Sequence, residues 1–406
     1  MIKDVLAVAG GVVIEGPRYC GKTTTAKQSC ASSVAFDKEP GLLLIAQTDP
    51  SEILAGDTPR LIDEWQLAPP VWNAVRHEID ERGKPGQFIL TGSAVPRDDI
   101  TKHSGAGRFV RLYMETMTLS ERGISSSSIS LAGLFSGKAK KTSTGGPSVR
   151  DYVRAMIRGG WPGLNDANEE GARMVLETYV DEISRTDINI PNEVKHDPMR
   201  VSAMLRSLSR NTANEFPISK LAAESADAGK PLTEQTVRNY LDALRRIHIL
   251  KDQPSWNTHL RSRVRLIRNP KRHLADPSIA LAAIGASEEE LLHDGEALGF
   301  FFESLVVHDL RALSAALGGE VFHYRDSSGL EIDAIVELRN AKWGAIEVKM
   351  PEKDIDRAAK NLLALKHKLA DHVQERCAFL AVVTPGKASY LRPDGVRVIS
   401  LGHLGP

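Results

Sequence analysis

Cysteine is scarce: the chain carries three, Cys20, Cys30 and Cys377, an odd number without metal-type spacing. That excludes a disulfide scaffold, gives no zinc signal and fits a reducing compartment, the cytoplasm. Net charge is missing as well, with 52 Lys+Arg against 52 Asp+Glu. Any nucleic-acid contact must then come from a local patch and not from a whole-molecule field. No run approaches the roughly 18 uninterrupted apolar residues of a membrane span. The nearest imitation is N-terminal, where Lys3 precedes the apolar run Val5–Ile14. Asp4 interrupts the pattern of a secretory leader, and cleavage there would strip the strand from the glycine loop that follows. What is present, 42% apolar and 26% charged residues over 406 positions, is the composition of two or three globular domains.

Between Gly11 and Glu121 short apolar runs (Val12–Ile14, Leu42–Ile45, Leu61–Ile62, Phe88–Leu90) alternate with amphipathic stretches. Strands alternating with helices imply a parallel sheet covered by helices, so residues 1–123 read as an α/β domain. Residues 124–148 are rich in Ser, Gly, Thr and Lys around one apolar piece, Leu131–Phe135, and read as a flexible loop or linker. Apolar residues three and four apart (Tyr152, Met156 and Ile157; Met174, Leu176, Tyr179, Val180 and Ile183) make residues 149–275 a helical region. Residues 276–406 return to mixed character. Helices are expected near Phe300–Leu310 and Ala358–Leu369, with strands near Val321–Tyr324, Ile332–Val336, Ala345–Val348, Phe379–Val383 and Val396–Ile399, a second α/β domain.

Gly16, Pro17, Arg18, Tyr19, Cys20, Gly21, Lys22 and Thr23 spell a complete G-x-x-x-x-G-K-[ST] loop between an apolar strand and the helix-compatible run from Thr24. Terminal glycines let backbone N–H groups wrap phosphate oxygens; Lys22 would neutralise the β and γ phosphates and Thr23 would ligate Mg²⁺. A second element, Leu61-Ile62-Asp63-Glu64, supplies Asp63 for the metal and Glu64 to orient or deprotonate the attacking water. Ser93, after the run Phe88–Leu90, stands where a polar group can sense the γ-phosphate. Arg108 is a candidate arginine finger, in its own or a neighbouring subunit, which admits a homo-oligomer.

These motifs, with Leu90-Thr91-Gly92-Ser93, the Arg108 segment running into Thr118-Leu119-Ser120-Glu121, and the turn Gly159-Gly160-Trp161-Pro162, resemble bacterial and archaeal AAA-like ATPases that carry a C-terminal domain of unknown function with a nuclease-like core. The resemblance covers most of the chain and implies an AAA-type P-loop fold binding ATP and Mg²⁺. One departure is that only fifteen residues precede the loop, where the family usually has several tens.

In the middle region, Ile218–Ala223 and Leu232–Leu241 read as two short helices with Ser219 and Thr233 as N-caps. Val237, Tyr240, Leu241 and Leu244 make one buried face, leaving Gln235, Arg238, Asn239 and Asp242 outward as in a recognition helix; Ile247–Leu250 and Asp252–Trp256 would form a wing. A winged helix serves equally as a plain connector. Beyond it Arg261, Arg263, Arg265, Arg268, Lys271 and Arg272 form the clearest basic patch, either a phosphate-backbone (DNA) contact or a solvated strand face.

At the C-terminus, Glu303, Asp333, Glu347 and Lys349 resemble the D…E-x-K core of restriction-endonuclease-like nucleases. Glu347 and Lys349 share a strand face, two carboxylates can hold Mg²⁺, and lysine can activate water. In the plain alternative Glu331, Asp333 and Glu337 line the solvent face of an edge strand. The sequence therefore predicts an α/β multi-domain protein: an AAA-type P-loop sheet, a helical and winged-helix region, and a restriction-endonuclease-like domain. Its expected function is that of a cytoplasmic ATPase whose nucleotide state controls the C-terminal site. The alternative is an ATP-dependent regulatory or scaffolding switch whose C-terminal domain is catalytically idle.

Overall fold

The computed structural model describes residues 1–94, 105–189, 196–225, 232–257 and 269–406. The chain divides into two units, neither continuous in sequence: Met1–Thr116 with Ile183–Asp197 and Asn239–Ile249, and Met117–Glu182 with Pro198–Arg238 and Leu250–Pro406.

In the first unit β1 (Gly11–Glu15), β2 (Ser32–Ala35), β3 (Arg60–Asp63), β4 (Phe88–Gly92) and β5 (Phe109–Tyr113) form one sheet in the order β2-β3-β4-β1-β5. Every neighbouring pair is parallel. Side chains alternate across the strands, so Val13, Ile62, Phe88 and Leu90 enter one core with Trp65 and Trp72. Val12, Ile14, Leu61 and Ile89 enter another with Leu6 and Ala26. Burial on both faces is why these strands read as unbroken apolar runs. One expected strand is a helix: Leu42–Ile45 lies within Pro40–Thr48, where Pro40 starts the helix and Leu42 and Leu43 pack on the core. The strand in its place, β2, buries only Val34 and gives little periodicity.

In the second unit the segment expected as a flexible linker carries structure. β6 (Ile129–Ser130), the helix Leu131–Ser136 and β7 (Ser143–Thr144) lie within it. Burial of Ile129, Leu131, Leu134 and Phe135 fixes them, and Ser130 caps the helix by accepting from Gly133 N at 3.1 Å. The helices Pro198–Arg210 and Ile218–Glu224 come next, followed by Glu234–Arg246, which passes from this unit into the first after Arg238. A three-stranded antiparallel sheet accompanies them, β8 (Asn214–Glu215), β9 (Leu250–Gln253) and β10 (Lys271–Leu274), in the order β8-β10-β9. Val237, Tyr240, Leu241 and Leu244 are buried, and Gln235, Arg238, Asn239 and Asp242 are exposed. Thr233 Oγ1 accepts from Thr236 N at 3.1 Å as an N-cap; Ser219 does not cap, because Pro217 precedes a helix that begins at Ile218.

The largest sheet joins β7 to β11 (Gly319–Arg325), β12 (Glu331–Leu338), β13 (Trp343–Val348), β14 (Cys377–Thr384), β15 (Ala388–Leu391) and β16 (Arg397–Ser400), in the order β11-β12-β13-β14-β16-β15-β7. β13, β14 and β16 run parallel, while β11, β12 and β13 are antiparallel. The helix Ile355–Lys368 covers one face through Ala358, Leu362 and Leu365. β6 pairs with β17 (Leu404–Gly405) and β7 with β15, so the supposed linker borders the C-terminal sheets.

Candidate functional site

The phosphate loop leaves the carboxyl end of β1. A Cβ at Gly16 would stand 2.3 Å from the Met114 carbonyl oxygen, so the turn admits glycine alone. Tyr19 and Gly21 take positive φ, 62° and 102°, which curls the loop into the helix Lys22–Lys27. Lys22 is buried, and its Nζ donates to the carbonyls of Gly16 at 3.0 Å and Pro17 at 2.7 Å. Pro17 and Cys20 are buried, while Tyr19 and Thr24 are exposed.

The register of β1, β3 and β4 brings the polar residues to one edge. Asp63 ends β3 opposite Thr91 of β4, and both the Thr23 hydroxyl (2.8 Å) and the Thr91 hydroxyl donate to Asp63 Oδ1. Glu64 follows in the left-handed region, φ 53°. Ser93 Oγ donates to Glu64 Oε2 at 3.0 Å, and Gln66 Nε2 donates to the same oxygen. The sequence thus places Lys22, Thr23, Asp63, Glu64 and Ser93 together, while Gln66 and Thr91 are partners it did not announce. This donor set suits Mg²⁺ with a triphosphate: an ammonium inside a curled loop, a hydroxyl touching a carboxylate, and a second carboxylate held aside.

Two arginines stand differently. Arg18, expected only as loop backbone, pairs through Nη1 with the buried Asp187 Oδ1 at 2.5 Å, within the same unit. Arg108 precedes β5, where Phe109 pairs with Gly11 at the amino end of β1. A five-residue strand, about 16 Å long, separates that end from Gly16. Its guanidinium is bound to Asp80, Nε lying 2.8 and 2.9 Å from the two carboxylate oxygens. Arg108 therefore does not reach the loop of its own chain.

The C-terminal residues also converge. Asp333 on β12 accepts from Val348 N at 2.8 Å and from Lys349 Nζ at 3.0 Å; Lys349 also reaches Glu347 Oε2 at 2.6 Å, and Asn361 holds Glu347 Oε1 at 3.1 Å. Asp333 is buried, so it does not line a solvent face. Glu303, from the helix Gly295–Ala316, completes the group. The unexpected member is Lys271 on β10. Its Nζ lies 2.8 Å from Glu303 Oε1, 3.1 Å from Glu331 Oε1 and 3.6 Å from Asp333 Oδ1. Burial opposes its charge, but Glu303, Asp333 and Glu331 outweigh burial and raise its pKa. Burial, followed by the Asp333 charge, pushes the carboxyls of Glu303 and Glu347 up.

Lys271 and Arg272 were expected in an exposed basic patch; they are 3% and 4% exposed, because β10 is the central strand of its sheet. Arg261, Arg263, Arg265 and Arg268 lie outside the described residues. β10 is fastened on both sides of Lys271. Gln253 Nε2 donates to the carbonyls of Phe322 (3.0 Å) and Asp333 (2.9 Å), leaving its oxygen to accept from His273 Nε2 at 3.0 Å. His273 Nδ1 then accepts from Ser304 Oγ at 3.1 Å, which requires a neutral ring. Burial, with Arg311 and Lys271 nearby, lowers the pKa of His273 well below 6.5. Among the described residues no three His, Cys, Asp or Glu side chains converge as a metal ion requires. As arranged, the C-terminal cluster does not fit a divalent ion.

Residues 10–122 match the AAA domain family, residues 149–290 a domain of unknown function (DUF8612) and residues 298–404 another (DUF4143). The first match supports a P-loop ATPase family at the N-terminus. An uncharacterised protein of Mycobacterium bovis and one of Mycobacterium tuberculosis are each 25% identical over 416 residues, covering 99% of this chain and 82% of theirs. No helix among the described residues is long and apolar enough to cross a membrane.

Proposed function

We propose that the protein binds and hydrolyses ATP, and that its nucleotide state controls the C-terminal region. The observation that carries this reading is the meeting of Lys22, Thr23, Asp63 and Glu64 at the carboxyl edge of a parallel β2-β3-β4-β1-β5 sheet. Lys22 would leave its two carbonyl partners for phosphate oxygens, and the backbone of residues 16–23 would wrap them. Thr23 and Asp63 would hold Mg²⁺, which supplies charge neutralisation at the phosphates. Glu64, released from Ser93 and Gln66, would orient the attacking water. An arginine finger from Arg108 is left to a neighbouring subunit and so to a homo-oligomer. The Arg18–Asp187 pair offers a coupling route, since loop rearrangement around phosphate would bear on residues 183–189.

Along the chain, the succession helix, β8, two helices, β9 and β10 supports a winged helix, with Gln235, Arg238, Asn239 and Asp242 as the residues that would meet DNA. The succession helix, β11, β12, β13, helix and β14, with Asp333 on β12 and Glu347 on β13, supports a restriction-endonuclease-like fold. Lys271 within the cluster favours the second reading, an ATP-driven switch whose C-terminal domain is idle in this state.

The test is Mg²⁺-dependent ATP turnover by the full chain. Lys22→Ala should lose binding, while Glu64→Gln should bind ATP and stop turnover. Wild-type turnover that survives in Glu64→Gln would remove the hydrolysis mechanism. Plasmid nicking, compared with Lys349→Ala, then separates the nuclease from the switch.

A further inference from the structure

We propose that Lys271 is the resident cation of the C-terminal carboxylate cluster, standing where a divalent ion would bind and clamping β10 against β12 and the helix Gly295–Ala316. The inference deepens the endonuclease-like reading and rests on it for its motive.

Glu303 comes from the helix Gly295–Ala316 and Glu331 and Asp333 from β12, and each of the three pairs with the Lys271 ammonium. The ammonium lies 2.8 Å from Glu303, 3.1 Å from Glu331 and 3.6 Å from Asp333. Oxygen ligands approach Mg²⁺ or Ca²⁺ at roughly 2.0–2.6 Å, so an ion using these oxygens would lie against the ammonium and be repelled. Lys271 cannot swing away as a surface lysine does. It is 3% exposed, and Gln253 and the neutral His273 tie β9 and β10 to β11, β12 and Ser304. The second cation, Lys349, neutralises Asp333 and Glu347 from the other side. With two lysines seated, the charge that a metal would supply is already present.

Two consequences follow. While β10 is in place the cluster takes up no Mg²⁺ or Mn²⁺, and any metal chemistry there requires β10 to leave. The same contacts make the cluster a joint between the three-stranded and seven-stranded sheets.

The test is a Mn²⁺ titration of the full, nucleotide-free chain, read by electron paramagnetic resonance of the free ion. Thr23→Ala in the background silences the phosphate loop. With Lys271 intact, no binding that depends on Asp333 is expected. Lys271→Met should gain one site, roughly a hundredfold or more in affinity, and Asp333→Asn should abolish it. Mn²⁺ bound with Lys271 intact and lost in Asp333→Asn would overturn the proposal. So would a folded Lys271→Met that gains nothing. Should Lys271→Met fail to fold, the Lys271-intact titration with and without Asp333→Asn still decides. Failure to nick DNA in a Lys271→Met chain that has gained Mn²⁺ would retire the nuclease reading and leave this one standing.

Discussion

Replacing Lys271 by methionine keeps the aliphatic stem and removes one buried charge, so the cost can be worked contact by contact. Asp333 keeps Lys349 at 3.0 Å and Val348 N at 2.8 Å. Glu331 is 41% exposed and turns to water. Glu303 alone is left buried without its cation. Breaking a buried pair from one side costs about 3–5 kcal/mol, and with one stranded partner the lower end applies. At about 2–4 °C per kcal/mol, the second unit should melt about 6–12 °C lower. Urea and thermal melts followed by tryptophan fluorescence suit the measurement, since Trp256 and Trp343 lie in that unit's core. Glu303 can escape by taking a proton. Its native pKa then lies above its unfolded value, a contribution that is lost as pH rises, so the penalty should be larger at about pH 8 than at about pH 6. Lys271→Met with Glu303→Gln removes both partners and should recover about 2 kcal/mol of the sum of the single losses. Additive single losses, or a Lys271→Met loss under about 1 kcal/mol, would refute the reasoning.

Three further outcomes are expected. Gly16→Ala drives its new methyl into the Met114 carbonyl and should abolish binding of a fluorescent ATP analogue while the second unit's melting is unchanged. His273 is held neutral, whereas its unfolded counterpart protonates below its ordinary value of 6.5. The unfolded state then binds more protons, so urea midpoints should fall from about pH 7.5 to about pH 5.5; the part due to His273 should vanish in His273→Gln, and an identical slope in that variant would contradict the assignment. Arg18→Ala removes a pair whose arginine is 41% exposed, so stability should change by less than about 1 kcal/mol. ATP-dependent hydrogen-exchange protection of residues 183–189 should nevertheless disappear.

Much of the phosphate-loop arrangement was legible because its chemistry is local. The loop is eight consecutive residues, Asp63 and Glu64 end an apolar strand, and burial on both sheet faces writes β1, β3 and β4 as plain hydrophobic runs. What failed depends on partners distant in sequence. Arg108 reads like a finger for either its own or a neighbouring subunit, and only the β1–β5 register separates it from its own chain's loop. Leu42–Ile45 is as apolar as a strand, and Pro40 two positions earlier was the clue to a helix. Lys271 sits in a run of arginines and has no local mark of burial; its acids lie 32 or more residues later. Its spacing to His273 does put both on one strand face, but only the sheet says that this face is interior.

The pairing of β6 with β17 bears on the order in which the chain can be assembled. Ser125 Oγ donates to Leu404 O across 279 residues, and β6 pairs with Leu404–Gly405 beside it. Closing a loop of that length costs about 5 kcal/mol in chain entropy. On a ribosome β6 must therefore wait for Leu404 and Gly405 to emerge before it can make this pairing. The first unit waits too, for Ile183–Asp197 and Asn239–Ile249. A cut at residue 123, which the motifs invite, would separate Arg18 from Asp187 and β6 from nothing it had yet met. Because each unit is built from separated segments, no single cut in the chain divides one from the other.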